Sequence, residues 1–134
     1  MARKSILVVD DEKNQREILE TILSSEGYDV TTASSGEAAM KFVESRRFDL
    51  VLTDLKMTGM SGLDLHRMLR RMSCEIPVIY VSAAHDVGSR ERALAQGAKA
   101  FLTKAFADED LLKVIRTALN DSAVHRSGMS GSPS

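Results

Sequence analysis

Five times along 134 residues, a short run rich in leucine and β-branched side chains gives way to a segment with helical periodicity. Few architectures accommodate that alternation. The first run, "SILVVDD" (5–11), is almost continuously apolar until it ends in two acids, the pattern of a parallel strand buried on both faces. "EKNQREILETILSSEGY" (12–28) then places Ile18, Leu19, Ile22 and Leu23 on one stripe, with Gly27 where a helix would end. The pairing recurs as "DVTTAS" with "GEAAMKFVESR", "FDLVLTD" with "GLDLHRMLRRM", "PVIYVSA" with "VGSRERALAQG", and "AFLTK" with "DEDLLKVIRTALN".

Strand–helix units in series predict an α/β fold with a parallel sheet and right-handed crossovers. For five strands and five helices the expected form is a flavodoxin-like doubly wound sheet of order 2-1-3-4-5, whose functional crevice lies at the carboxyl ends of strands one and three. Residues 1–121 are expected to form one domain. Residues 122–134 are small and polar with no apolar period, and read as a flexible polar tail or truncated linker. A chain that is 43% hydrophobic and 28% charged can bury a single core, which excludes disordered and collagen-like classes. Eighteen Lys+Arg against nineteen Asp+Glu leave a formal charge of -1, so no general field draws the chain to nucleic acid or to an anionic membrane. Cys74 is the single cysteine and has no internal disulfide partner, and the opening apolar run is too short for a signal peptide or membrane helix. A soluble, cytoplasmic protein is expected. Arg67, Arg70 and Arg71 lack interleaved aromatics and read as a solvated helix face, with His66 beside them as a surface residue.

In the expected topology most strands deliver a polar residue to one edge: Asp10 and Asp11 from the first, Asp54 from the third, Ser82 from the fourth and Lys104 from the fifth. Three carboxylates within a few ångströms repel one another unless a cation compensates. Mg²⁺ suits an all-oxygen set and keeps positions open for phosphate oxygens, and Mn²⁺ can substitute. With the ion on Asp11 and Asp54, one Asp54 oxygen stays free to attack phosphorus in line and form an acyl phosphate. Lys104 and the Ser82 hydroxyl can then meet phosphoryl oxygens. The glycines after Asp54 allow a tight turn in which a backbone carbonyl near Lys56 also faces the metal.

Taken in order, "VVDDE", "VLTDLKMTGMSG", "VIYVSAA" and "GAKAFLTKAF" resemble the receiver domain of bacterial two-component response regulators, and the likeness runs over about residues 4–120. The resemblance implies a phosphorylation-controlled signalling switch that accepts a phosphoryl group from a histidine kinase or a histidine phosphotransfer protein and performs chemistry only on itself. Asp54 becomes the phosphoacceptor, Asp11 a direct metal ligand, Asp10 a ligand through water, and Lys56 a carbonyl ligand. Ser82 and Lys104 become the phosphoryl-binding pair and Phe101 the switch aromatic. Asn14, Gln15 and Ile18, on the helix bordering the acid pocket, are expected to dock the donor. A downstream target or a second copy is expected on the fourth helix, fifth strand and fifth helix.

Two positions depart from the family pattern. Thr58 stands where proline is usual, and Ala105 stands where a cis Lys-Pro bond is usual. A cis Lys104–Ala105 bond is nevertheless expected, although cis costs ~3 kcal/mol without proline, because it would hold the ammonium over Asp54. Two other classes compete. A non-phosphorylated interaction module on the same fold would be marked by a lost acid, and a phosphatase of the haloacid dehalogenase type by Asp-x-Asp on the first strand. The chain carries neither mark.

Overall fold

A computed structural model describes residues 3–72, 75–83 and 88–131, with side chains described as far as Asn120. Cys74 lies outside the described residues. The elements run β1 (Ser5–Val9), α1 (Lys13–Ser25), β2 (Asp29–Ala33), α2 (Gly36–Ser45), β3 (Leu50–Thr53), α3 (Gly62–Arg71), β4 (Val78–Ser82), α4 (Ser89–Ala95), β5 (Ala100–Thr103) and α5 (Asp108–Gly131). All neighbouring strands are parallel, in the order β2-β1-β3-β4-β5, as the alternation of segments predicts.

Alternate residues of each buried strand feed two apolar layers. Ile6, Val8, Leu50, Leu52, Ile79 and Val81 face Leu19 and Leu23 of α1 and Leu111, Ile115 and Ala118 of α5. Leu7, Val9, Val51, Val78, Tyr80 and Phe101 face Ala39 and Met40 of α2, Leu65 and Leu69 of α3, and Ala93 of α4. Near-continuous apolar runs were needed because helices cover both faces. Two helix starts are written locally: the Ser35 side chain accepts from the Ala38 N–H, and Ser61 with Asp64 forms a reciprocal capping box on α3.

The backbone of α5 continues as helix over residues 122–131, where composition predicts a polar tail. A helix already nucleated by packing Leu111, Ile115 and Ala118 on the sheet extends at low cost, since propagation is far easier than nucleation.

His66 departs from its expected surface position. It shares a face with Gly62, Leu65 and Leu69, all buried, and is only 4% exposed. The i, i+3, i+4, i+7 spacing of these four residues carries that signal in the sequence. Burial, assisted by the charge of Arg70, lowers the imidazole pKa from 6.5 to about 4. Between those values the unfolded chain binds a proton that the folded chain refuses, so His66 makes stability fall as pH drops from about 6.5 towards 4. The expected loss is about 3 kcal/mol over that window. Urea unfolding at pH 7 and pH 4.5 checks this: wild type should lose more stability between the two than His66→Gln, and equal losses would contradict a buried neutral imidazole.

Candidate functional site

The sheet register brings the polar residues to one edge. Val9 pairs with Thr53, so Asp10 and Asp54 each follow the last paired residue of β1 and β3. The Asp54 N–H donates to the Val9 carbonyl at 2.9 Å, and the Asp10 N–H donates to the Ala33 carbonyl at 3.1 Å. Ser82 pairs with Thr103, and the Lys104 N–H donates to the Ser82 carbonyl at 3.0 Å. The ladder thus carries Asp10, Asp54, Ser82 and Lys104 to the same end of four strands. Asp10, Asp54 and Ser82 are buried.

Gly62, at the start of α3, closes this edge from below. A Cβ at that position would stand 2.1 Å from the Asp54 carbonyl oxygen. The glycine is therefore required by close approach of α3 to the Asp54 backbone, which its own N–H reinforces by donating to Leu55 O at 2.9 Å.

Lys104 is the hub of the site. Its Nζ donates to Glu12 Oε1 at 2.6 Å and to Asp54 Oδ2 at 3.0 Å, and lies 3.3 Å from Asp10 Oδ2. Burial alone would push the ammonium pKa down. The bonds to Glu12 and Asp54 and the charges of Asp54 and Asp10 outweigh it, so Lys104 stands above the ordinary lysine value. Asp10 is raised above its ordinary value, chiefly by burial, with the Asp54 charge adding to it. The Glu12 N–H, bonded to Asp10 Oδ1 at 2.9 Å, and the Lys104 ammonium oppose that rise.

Carboxylate oxygens of Asp10, Glu12 and Asp54 lie within 4.8 Å of one another. One ammonium faces these three acids, an all-oxygen donor set that fits a hard divalent cation such as Mg²⁺ and lacks the thiolates or imidazoles that would favour zinc. Glu12 was not singled out in the sequence. Its signal was its place immediately after the acid pair, where α1 begins.

Asp11, the expected direct metal ligand, does not join these three. Its Oδ2 accepts from the Thr58 N–H at 3.1 Å and from the Thr58 hydroxyl at 3.4 Å. A proline at position 58 would supply neither donor, so the departure at Thr58 and the orientation of Asp11 have one physical cause. The expected cis bond is also corrected: the described backbone has no cis peptide, and Lys104–Ala105 is trans. The lysine stem reaches Asp54 from a trans backbone, so nothing offsets the cost of a non-proline cis bond.

Phe101 is buried, with its ring stacked on Tyr80 at a centroid distance of 6.2 Å. Lys56 lies two residues past Asp54, with an exposed side chain. On α1, Asn14 and Ile18 are exposed and Gln15 is half-buried. Arg16, from the same helix, donates to the Asp10 carbonyl at 2.8 Å and ties α1 to the edge. Of the basic cluster on α3, Arg67 pairs with Asp64 at 3.1 Å and Arg70 donates to the Gln96 carbonyl at 2.7 Å.

Known proteins share both the sequence and the fold. The response regulator receiver domain family matches residues 6–116. A probable transcriptional regulator, ycf27, of Porphyridium aerugineum is 39% identical over 89% of this chain and 49% of its own length. The response regulator MprA of Mycolicibacterium vanbaalenii is 39% identical over 85% of this chain and 49% of its own length. The chain thus spans about half the length of these curated relatives. Among solved structures, a response regulator receiver domain protein from Clostridium thermocellum superposes with a TM-score of 0.84 at 31% identity, covering 90% of this chain and 98% of its own. A response regulator receiver protein from Pseudomonas putida does so with a TM-score of 0.82 at 34% identity, covering 87% and 98%.

Proposed function

The chain belongs to the response regulator receiver domain family, and from that premise we propose that it is a phosphorylation-controlled switch with Asp54 as the phosphoacceptor. The observation that carries this reading is the convergence of Asp54, Asp10, Glu12 and Lys104 at one strand edge, with the Lys104 ammonium 3.0 Å from Asp54. Residues 1–121 are taken as the receiver unit and 122–134 as a tail or linker.

An Asp54 carboxylate oxygen attacks phosphorus of a phosphohistidine in line, so that an O–P bond forms as the N–P bond breaks and the departing imidazole takes up a proton. Asp10, Glu12 and Asp54 would hold Mg²⁺, with Asp11 joining if it leaves Thr58 and with the Lys56 carbonyl as a further ligand. When bound, the ion supplies charge neutralisation for the phosphoryl oxygens. Lys104 exchanges its carboxylate contacts for a phosphoryl oxygen, and the Ser82 hydroxyl donates to another. Ser82 moves towards the phosphoryl group, and the Ser82–Phe101 pair, which has two discrete arrangements, shifts its population towards the one with Phe101 buried, altering the surface of α4, β5 and α5 where a target or a second copy binds. The chemistry is confined to the chain's own aspartate. The donor is a histidine kinase or histidine phosphotransfer protein, and the setting is cytoplasmic. Among the described residues no helix is long and apolar enough to cross a membrane.

Intact-mass measurement with acetyl phosphate tests the proposal. One added phosphoryl group is expected with Mg²⁺ present and none with the metal chelated; labelling indifferent to Mg²⁺ would oppose it.

Donor docking is assigned to Asn14, Gln15 and Ile18 of α1, of which Asn14 and Ile18 are exposed and Gln15 is half-buried. Ile18 is 51% exposed and offers an apolar side chain on the helix that borders the acidic pocket. Ile18→Asp should slow transfer from the protein donor by about tenfold, the scale of losing one interface anchor, while leaving acetyl phosphate labelling unchanged. Parallel losses with both donors would argue against docking there.

A further inference from the structure

On the α2–α3–α4 side of the sheet, below the acidic edge, three rings from three different elements stand in a row. His66 of α3, Tyr80 of β4 and Phe101 of β5 are all buried. The Tyr80 hydroxyl lies 3.1 Å from His66 Nδ1 and donates to the Gly62 carbonyl at 3.3 Å. With that donor committed, the Nδ1–H tautomer of His66 donates to the phenol oxygen and both polar groups are satisfied. The Tyr80 ring is tilted against His66 at a centroid distance of 5.9 Å and stacks on Phe101 with an interplanar angle of 23°. Tyr80 is paired with Phe101 in the sheet register. It also precedes Ser82 by two residues, on the same face of β4.

We infer that His66 and Tyr80 are positioning residues for the switch: their hydrogen bond clamps the far end of the Tyr80 ring, and the clamped ring holds Phe101 in its buried arrangement. This deepens, and rests on, the reading of Asp54 as phosphoacceptor. A buried phenol hydroxyl strongly prefers to keep its partners, so the ring cannot swing without leaving two polar groups unpaired. A ring fixed in this way presents one face to Phe101, and Phe101 leaves only by giving up that stacked contact. The buried Phe101 is the arrangement that a phosphoryl group selects when it draws Ser82 towards itself. The clamp therefore raises the fraction of molecules ready to take up a phosphoryl group, and its loss is read as weaker apparent affinity at Asp54.

The test combines two readouts on wild type, Tyr80→Phe, His66→Leu and the double variant. The first is the aromatic NMR signature of Phe101 with no phosphoryl mimic present. The second is titration with beryllofluoride in the presence of Mg²⁺. Tyr80→Phe keeps the ring and removes the hydroxyl, and with it the bonds to His66 and to the Gly62 carbonyl, whereas His66→Leu removes the His66 bond while the hydroxyl still reaches Gly62. Tyr80→Phe should shift the Phe101 resonances towards an averaged, more exposed environment and raise the apparent Kd by about fivefold, the scale of one net hydrogen bond. The double variant replaces both partners by apolar groups and so avoids orphaned polar atoms at the pair, yet it should show the same displaced Phe101. His66→Gln, which retains a side-chain donor, should move both readouts back towards wild type, whereas a merely structural role would alter only thermal stability. Phe101 resonances that superimpose on wild type in Tyr80→Phe and in the double variant, with unchanged Kd, would overturn the clamp. Failure of the wild type itself to bind beryllofluoride would overturn the Asp54 reading and the coupling to it, and the Phe101 spectra alone would still decide whether the clamp holds the ring.

Discussion

Asp54→Asn is expected to take up no phosphoryl group from acetyl phosphate or from a protein donor, with labelling reduced by at least about a thousandfold, since losing a nucleophile leaves only residual chemistry. The fold should persist. Asparagine keeps the shape of the side chain, and the backbone bond from the residue 54 N–H to Val9 O does not depend on the carboxylate. Removing the charge also lifts one of the influences that raise the Asp10 pKa. The same variant should therefore show an Asp10 that titrates lower than in wild type, provided Lys104 keeps its other contacts. Intact-mass labelling checks the first expectation, and carbon-detected NMR titration of the Asp10 carboxyl checks the second. Substantial labelling of Asp54→Asn would move the phosphoacceptor elsewhere.

Lys104→Ala is expected to have the largest effect on stability. The ammonium is within 3.3 Å of Asp10, Glu12 and Asp54, and the side chains of Asp10 and Asp54 are only 2% and 7% exposed. Deleting it strands nearly buried carboxylates without a cation, which should cost about 3 kcal/mol at neutral pH without divalent metal. The pH dependence has a definite sign. Asp10 already stands above its ordinary value, and losing the ammonium raises it further. Protonation then relieves the site as pH falls, so the deficit relative to wild type should shrink towards pH 5. Mg²⁺ should also recover part of the loss, because a cation that binds only the folded state stabilises it by mass action. Phosphorylation should slow by about a hundredfold for want of one charged donor on the phosphoryl oxygens. Urea unfolding at pH 7.5 and pH 5, with and without Mg²⁺, is the check. A variant as stable as wild type under all four conditions would show that Lys104 does not balance the acids.

The architecture was legible because the strands are buried on both faces. Runs such as "SILVVDD" and "FDLVLTD" have few other uses, and their polar last residues fall at one edge in any right-handed doubly wound sheet. Asp10, Asp54 and Lys104 could accordingly be placed near one another from order alone. Side-chain direction was a different matter. Glu12 enters the cluster and Asp11 leaves it through contacts with Lys104 and Thr58, residues 92 and 47 positions away, and strand and helix periodicity carries no information about such pairs. The expectation of a cis Lys104–Ala105 bond rests on the need to bring the ammonium to Asp54, and the flexible lysine stem meets that need from a trans backbone. His66 adjoins the basic cluster along the chain, but its spacing with Gly62, Leu65 and Leu69 points inward, and spacing is the stronger signal.

The most direct test of the central claim is to locate the acyl phosphate. Wild-type protein treated with acetyl phosphate and Mg²⁺ is reduced with borohydride, which converts an aspartyl phosphate to homoserine, and the modified peptide is sequenced by mass spectrometry. The account predicts conversion at Asp54 alone, and none when Mg²⁺ is chelated before the phosphodonor is added. Conversion at Asp10 or Asp11, or an unmodified Asp54 in the presence of Mg²⁺, would contradict it.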